Sequence, residues 1–285
     1  MREIINLVLH QTFIQNAVLA GFLSGIACGI TGTFVVIRRI TYMAGGIAHA
    51  VLGGLGLAYY LGFNPLLGAT VFAVCSAVII GIVRQRCSQS EDIVISALWS
   101  TGMATGIIFT YLTPGYMVDL MSFLFGNILM VSPSSLAVLA GLDAAVVLAV
   151  FVFYRQLVYL CFDEEYSSLR DIPVRTADIL LLSIIAVTVV TLIQTVGIVL
   201  VIALLTLPAA IAQLVSRTPG RMMAGAVILS LVFIYAGLAV SFAYDLPSGA
   251  SIILCTGAGY FLALVVQAWY TALVRIRLSR ARSSS

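Results

Sequence analysis

The chain has 285 residues, 62% of them hydrophobic and 9% charged, with a mean hydropathy of +1.15 and a formal net charge of +3. A soluble domain carries about 25% charged residues, so this composition cannot build a water-facing surface and lipid is the solvent that remains. The cations are all arginine, with no lysine, and sit in short loops between apolar runs; that is topology information and excludes a nucleic-acid surface.

A bilayer span needs about 20 apolar residues, and this chain has room for many. No ten-residue alternation marks a barrel, so the spans are helices. Residues 1–12, with Arg2, Glu3, Asn6 and His10, read as a short amphipathic entry without a cleavable signal peptide. The first span is 13–37, where Gly21, Gly25 and Gly29 stand four apart and form a face suited to close helix packing. Arg38-Arg39 ends it. The second span is 44–61 and turns at Asn64-Pro65 into the third, 66–83, which Arg84 and Arg86 close. Ser90-Glu91-Asp92 opens the fourth, 93–112, with a capping residue and two acids where the helix dipole favours them. The apolar stretch 118–131 is too short to span and reads as a half-helix or re-entrant piece. The fifth span, 136–153, stops at Arg155.

The loop 162–173 is the one long polar loop. Spans six and seven, 177–195 and 196–215, meet at a minimal turn near Gly197, with Pro208 inside the second. Spans eight and nine are 222–244 and 249–273, and a basic, Ser-rich tail at 275–285 reads as disordered near lipid headgroups. The arginine loops follow spans one, three, five, seven and nine. The positive-inside rule therefore puts the N-terminus outside and the C-terminus in the cytoplasm. The expectation is an all-α polytopic membrane protein of nine transmembrane helices, or eight if the Gly197 junction is one kinked helix. It forms a single transmembrane domain over 1–285, with its membrane core at 13–273.

Ionisable groups inside spans are rare and point to function. Two stand near mid-span, His49 and Asp143; Asp178 lies near a membrane end, where an acid is easily solvated. His49 is one of only two histidines. At about 3.6 residues per turn it shares a helix face with Gly45, Gly53 and Gly56. Such a face either lets a neighbouring helix approach closely or leaves room for something small to pass. His49 is either a ligand lining a path for an ion, since imidazole suits zinc and other borderline divalent ions, or a structural histidine bonded to a neighbouring helix. Asp143 is either a second ligand or an acid hydrogen-bonded at a helix interface. Cys28, Cys75, Cys87, Cys161 and Cys255 have no CxxC spacing and read as small core residues. No HExxH or GxxxxGK[ST] is present, so neither zinc-protease chemistry nor P-loop ATP hydrolysis belongs to this chain.

Several stretches, taken in order, resemble one family. They are Arg39 to Gly54; Glu91-Asp92-Ile93 through Ser100; Gly102-Met103-Ala104-Thr105-Gly106; and Phe123-Leu124-Phe125-Gly126-Asn127-Ile128-Leu129. Phe162-Asp163-Glu164-Glu165, Val196-Gly197 through Leu207-Pro208-Ala209-Ala210-Ile211-Ala212, and Ser241 with Asp245, Pro247, Ser248 and Gly249 complete the set. The chain resembles the integral-membrane permease subunits of ABC-type zinc/manganese/iron importers.

The resemblance implies a non-enzymatic transport subunit in a bacterial cytoplasmic membrane, multi-pass and in contact with lipid. It implies a partnership with a second copy of itself, two cytoplasmic ATPase subunits and an external metal-binding protein, with no nucleic acid. The cargo would be a divalent transition-metal ion, zinc ahead of manganese or iron, with no permanently bound cofactor. His49 would line the path; independently of the resemblance, the mid-span Asp143 is the candidate to supply, from another helix, the carboxylate that Gly45 lacks. The loop 162–173, with Asp163, Glu164, Glu165 and Arg170, would couple to the ATPase. Gly45, Gly53, Gly56, Pro208 and Asp245 would be motif positions; Asp245 and Asp119, on the outside, would receive the cation or dock the binding protein. Three positions depart from the family: Gly45 where it usually has Asp, Asn127 where it often has Asp, and Asp171 where it often has Gly. The alternative is an ion-gradient-driven secondary transporter of a small cation, but that class usually shows midplane carboxylates and an internal repeat, and only Asp143 is present.

Overall fold

The computed structural model describes residues 11–86, 91–114, 124–162 and 174–283. Among them are nine helices long and apolar enough to cross a membrane, and no strand. In chain order they are α1 Thr12–Ile37, α2 Thr41–Leu61, α3 Pro65–Arg86, α4 Glu91–Leu112, α5 Pro133–Phe162, α6 Val174–Val196, α7 Ile198–Val215, α8 Pro219–Tyr244 and α9 Ser248–Ser283. A 3-10 turn, Ile128–Met130, precedes α5.

Local chemistry sets these boundaries. Gly62, at φ +72°, closes α2 in the left-handed region that a side chain resists. Pro65 starts α3 where its missing N–H costs nothing, and the Leu66 N–H donates to Asn64 Oδ1 at 2.9 Å. Pro219 starts α8 in the same way. Gly197, at φ +84°, separates α6 from α7, so the junction is a true break and the described residues hold nine membrane-crossing helices rather than eight. α7 runs unbroken through the buried Pro208.

Two expected ends move. α5 does not stop at Arg155 but continues to Phe162, because arginine is a good helix former and nothing breaks the chain there. The tail expected to be disordered continues α9 as helix to Ser283; between Gly259 and Ser283 there is no Gly or Pro to end it.

α1, α2 and α6 form the interior, with 67%, 72% and 72% of their central windows buried. α4, α5 and α9 form the periphery, at 17%, 22% and 22%. α1 packs on α5, α6, α7 and α8, and α2 packs chiefly on α4 and α3. The expected small-residue face of α1 is where α8 seats. A Cβ on Gly21, Gly25 or Gly29 would strike Ile234, Leu231 or the Val227 backbone. In lipid, where apolar side chains gain little by leaving the solvent, such close approach is what holds helices together.

The chain ends sort cleanly. The C-terminal ends of α1, α3 and α5 meet the N-terminal end of α6 at the face carrying Arg38 and Arg84. At the opposite face, the backbone of Phe125 and Gly126 is wedged against Val196, Gly197 and Gly249, where no Cβ fits. Part of the expected re-entrant piece thus lies described, at Leu124–Val131, and the Asn16 side chain holds the Val131 carbonyl at 3.3 Å. Its earlier part, with Asp119, lies outside the described residues, as does the loop 163–173.

Candidate functional site

His49 sits in α2, two turns past its start. Its ring stacks on the Trp99 indole of α4, with centroids 4.2 Å apart and planes 7° from parallel. The stack fixes the imidazole plane. Trp99 is itself held, since its Nε1–H donates to Met103 Sδ at 3.0 Å. The Tyr42 ring is tilted against Trp99 with centroids 6.2 Å apart, and its hydroxyl pairs with Ser96 Oγ at 2.6 Å. The His49 Nδ1 is buried and has no hydrogen-bond partner. Buried polar atoms are normally bonded, so a fixed ring with an orphan nitrogen is set up to meet something.

The glycine face of α2 resolves into two kinds of position. A Cβ on Gly53 would meet the Gly102 carbonyl oxygen at 2.9 Å and Phe72 Cζ at 3.0 Å. One on Gly56 would meet Gly106 Cα at 2.8 Å. These glycines exist so that α4 can lie against α2. Gly45 differs: an added Cβ there would come no nearer than 4.0 Å to any neighbour, the Ile202 Cδ1 of α7. One turn before His49 there is room and no side chain.

The outer face carries a cavity of about 1090 Å³ between the ends of α2, α3, α5, α6 and α9. Its polar lining is neutral: Asn64, Asn127, Ser134, Ser135 and Gln194. Amide and hydroxyl oxygens of this kind can carry a cation without trapping it. Leu55 and Tyr59 line the cavity from α2. His49 lies six residues beyond Leu55 toward the cytoplasm, about 9 Å along the helix. Asn127 also caps the 3-10 turn, accepting from the Leu129 N–H at 3.2 Å.

Asp143 is buried in α5, at 3% exposure, and neither carboxylate oxygen has a hydrogen-bond partner. The structure does not bring it to His49. α5 packs on α1 and α6, whereas His49 faces α4, and neither side chain has a partner in the other. Asp245 ends α8 with φ +53°, exposed and outside the cavity lining, although its neighbour Pro247 belongs to that lining. The coupling residues Asp163, Glu164, Glu165 and Arg170 lie outside the described residues, as does Asp171. Among the described residues no three His, Cys, Asp or Glu side chains gather into a metal cage.

Two features escaped the sequence reading. Trp99 carried a signal: tryptophan favours membrane interfaces, and this one lies deep in a span. Asp178 was discounted as an easily solvated acid. It is instead buried and ion-paired to Arg38 at 2.8 Å and to Arg84 at 3.2 Å, across 140 and 94 residues of sequence.

The family model of the ABC 3 transport family matches residues 10–267. The chain belongs to that family. It is therefore a transport subunit and not an enzyme, and a multi-pass protein of the cytoplasmic membrane. An uncharacterized membrane protein of Synechocystis sp. is 43% identical over 90% of this chain and 91% of its own length. A manganese transport system membrane protein, MntC, of Halalkalibacterium halodurans is 36% identical over 98% of this chain and 96% of its own. Among solved structures, PsaBC from Streptococcus pneumoniae in complex with Fab superposes with a TM-score of 0.83 at 30% identity, covering 92% of this chain and 94% of that one.

Proposed function

We propose that this chain is the permease of an ATP-driven importer for a divalent transition-metal ion, with zinc preferred over manganese. The permease works as a homodimer with two cytoplasmic ATPase subunits and an external protein that delivers the metal. The metal is cargo, and no cofactor stays bound. MntC of H. halodurans is named for manganese, which supports the cargo class.

The observation that carries the reading is the orphan Nδ1 of His49, held rigid on Trp99 beside the room left at Gly45. Manganese favours carboxylate oxygen, while imidazole suits zinc. A site that keeps the nitrogen and lacks the acid one turn away leans to the ion that needs the acid less. Sparse ligation also suits a conduit, because an ion held by four good ligands would not leave. Docking to the ATPase falls to the loop 162–173, which is long and polar where the other cytoplasmic connections, 38–40, 87–90 and 216–218, are short.

The test is ATP-driven uptake of radiolabelled zinc and manganese into proteoliposomes holding the whole transporter. Zinc uptake should exceed manganese uptake, and His49→Ala should abolish both while the complex still assembles. Undiminished uptake by His49→Ala, or manganese favoured over zinc, would overturn the reading.

A further inference from the structure

At the cytoplasmic face, four helix ends are joined through one carboxylate and one carbonyl. The Asp178 Oδ1, in the second turn of α6, accepts from Arg38 at 2.8 Å and from Arg84 at 3.2 Å. Arg38 also donates to the Leu160 carbonyl of α5 at 2.9 Å. The Arg38 and Asp178 side chains are each only 8% exposed, so these bonds are shielded from water and salt.

The positions matter more than the number of bonds. Leu160 lies three residues before the loop 163–173 and Asp178 five residues after it. Arg38 thus grips both helices that carry the loop. Arg38 is also the C-cap of α1. Only Arg38, Arg39 and Ile40 separate α1 from α2, and the turn is stiff. The Arg39 N–H donates to Val36 O at 3.2 Å and the Ile40 N–H to Val35 O at 3.0 Å. Arg39 is held at φ +58°, and Ile40 is buried. A non-glycine residue in that region persists only where its surroundings impose it. α2 then runs eight residues from Thr41 to His49, about 12 Å of helix. Arg84 ties in α3, which packs on both α2 and α6.

We infer that Arg38, Asp178, Arg84 and the Leu160 carbonyl form a positioning clamp that passes movement of the loop 163–173 to α2 and so to His49. The inference rests on the reading of that loop as the ATPase coupling element. None of the four groups touches the metal. The clamp keeps the loop-bearing ends of α5 and α6 and the entry to α2 moving as one body, so that ATP-driven displacement of the loop reorients the pathway helix.

The experiment uses the full transporter in proteoliposomes and reads metal taken up per ATP hydrolysed, a ratio independent of how much protein folds. Asp178→Asn, and separately Arg84→Gln at the more exposed edge of the clamp, should keep bound ATPase and basal hydrolysis while the ratio falls about fivefold or more. Asp178→Glu, which keeps a carboxylate, should restore much of it. A wild-type ratio in both Asp178→Asn and Arg84→Gln overturns the clamp. A third variant, with Glu164 and Glu165 changed to Arg, tests the loop itself. If it binds the ATPase and keeps the wild-type ratio, the coupling-loop reading fails. If it loses the ATPase while the clamp variants keep the wild-type ratio, the clamp alone fails.

Discussion

The two halves of α2 use the same residue for opposite ends. In the outer half, Gly53 and Gly56 are consumed by packing: the backbone of α4 occupies the space their side chains would fill. In the inner half, Gly45 is buried, yet a Cβ added there would meet only one methyl of Ile202, at 4.0 Å. Beside it stands the buried, unpartnered Nδ1 of His49. A glycine face is thus not one device. Its outer part fixes α2 against α4, and that fixed interface brings Trp99 to the face of His49. Its inner part leaves the room into which the fixed ring can act.

The difference can be broken most severely from the outer half. Gly56→Leu drives a side chain into Gly106, whose Cα is 2.8 Å from where the Cβ would stand. Overpacking of this kind costs about 1–3 kcal/mol, and backbone cannot yield as a flexible side chain does. The expected outcome is a lowered melting temperature of the purified permease and lost uptake. An unchanged melting temperature would show that the outer glycines are not packing positions.

Gly45→Asp sharpens the comparison from the inner half. A Cβ at Gly45 comes no nearer than 4.0 Å to a neighbour, and a carboxylate there falls one turn from His49, a spacing at which two side chains share a face. Manganese uptake should rise relative to zinc by about tenfold, equivalent to ~1.4 kcal/mol of differential binding. Competition between the two ions in the uptake assay reads this directly, and an unaltered ratio counts against His49 as the ion's contact. The smallest effect belongs to Gly45→Ala. With no neighbour nearer than 4.0 Å, the methyl should be tolerated, uptake should stay at the wild-type level, and lower unfolded-state entropy should stabilise the helix by about 0.5 kcal/mol.

Legibility followed the range of the interaction that decides each feature. The spans and their approximate ends are legible because hydropathy and turns such as Asn64-Pro65 act locally; the Gly197 junction, readable as a turn or a kink, is the one that leaves eight or nine open. The helices α5 and α9 run past the charged residues at which the linear reading ends them. Arg155 and the tail arginines favour helix, and the bilayer edge does not by itself end one. His49 was picked out correctly as an unusual residue in a span, but its surroundings were not. Trp99 is 50 residues away in sequence, and its approach depends on Gly53 and Gly56 meeting Gly102 and Gly106.

Asp178 shows the same limit from the other side. Near a span end, an acid in isolation is a solvated acid. Only the convergence of three other helix ends makes it a buried ion-pair partner.

The sequence by itself determined the solvent, the helical class and the family resemblance; whether Gly197 divides two spans was decided by the structure. The first three follow from apolar run lengths, turn residues and ordered motifs, which the linear chain states outright. The tertiary structure alone decided which glycines of α2 are filled and which are open, what fixes the plane of His49, and what holds the ends of the 163–173 loop to α2. Each of those depends on atoms tens of residues apart meeting within 3 to 4 Å, and no pattern along the chain encodes that approach.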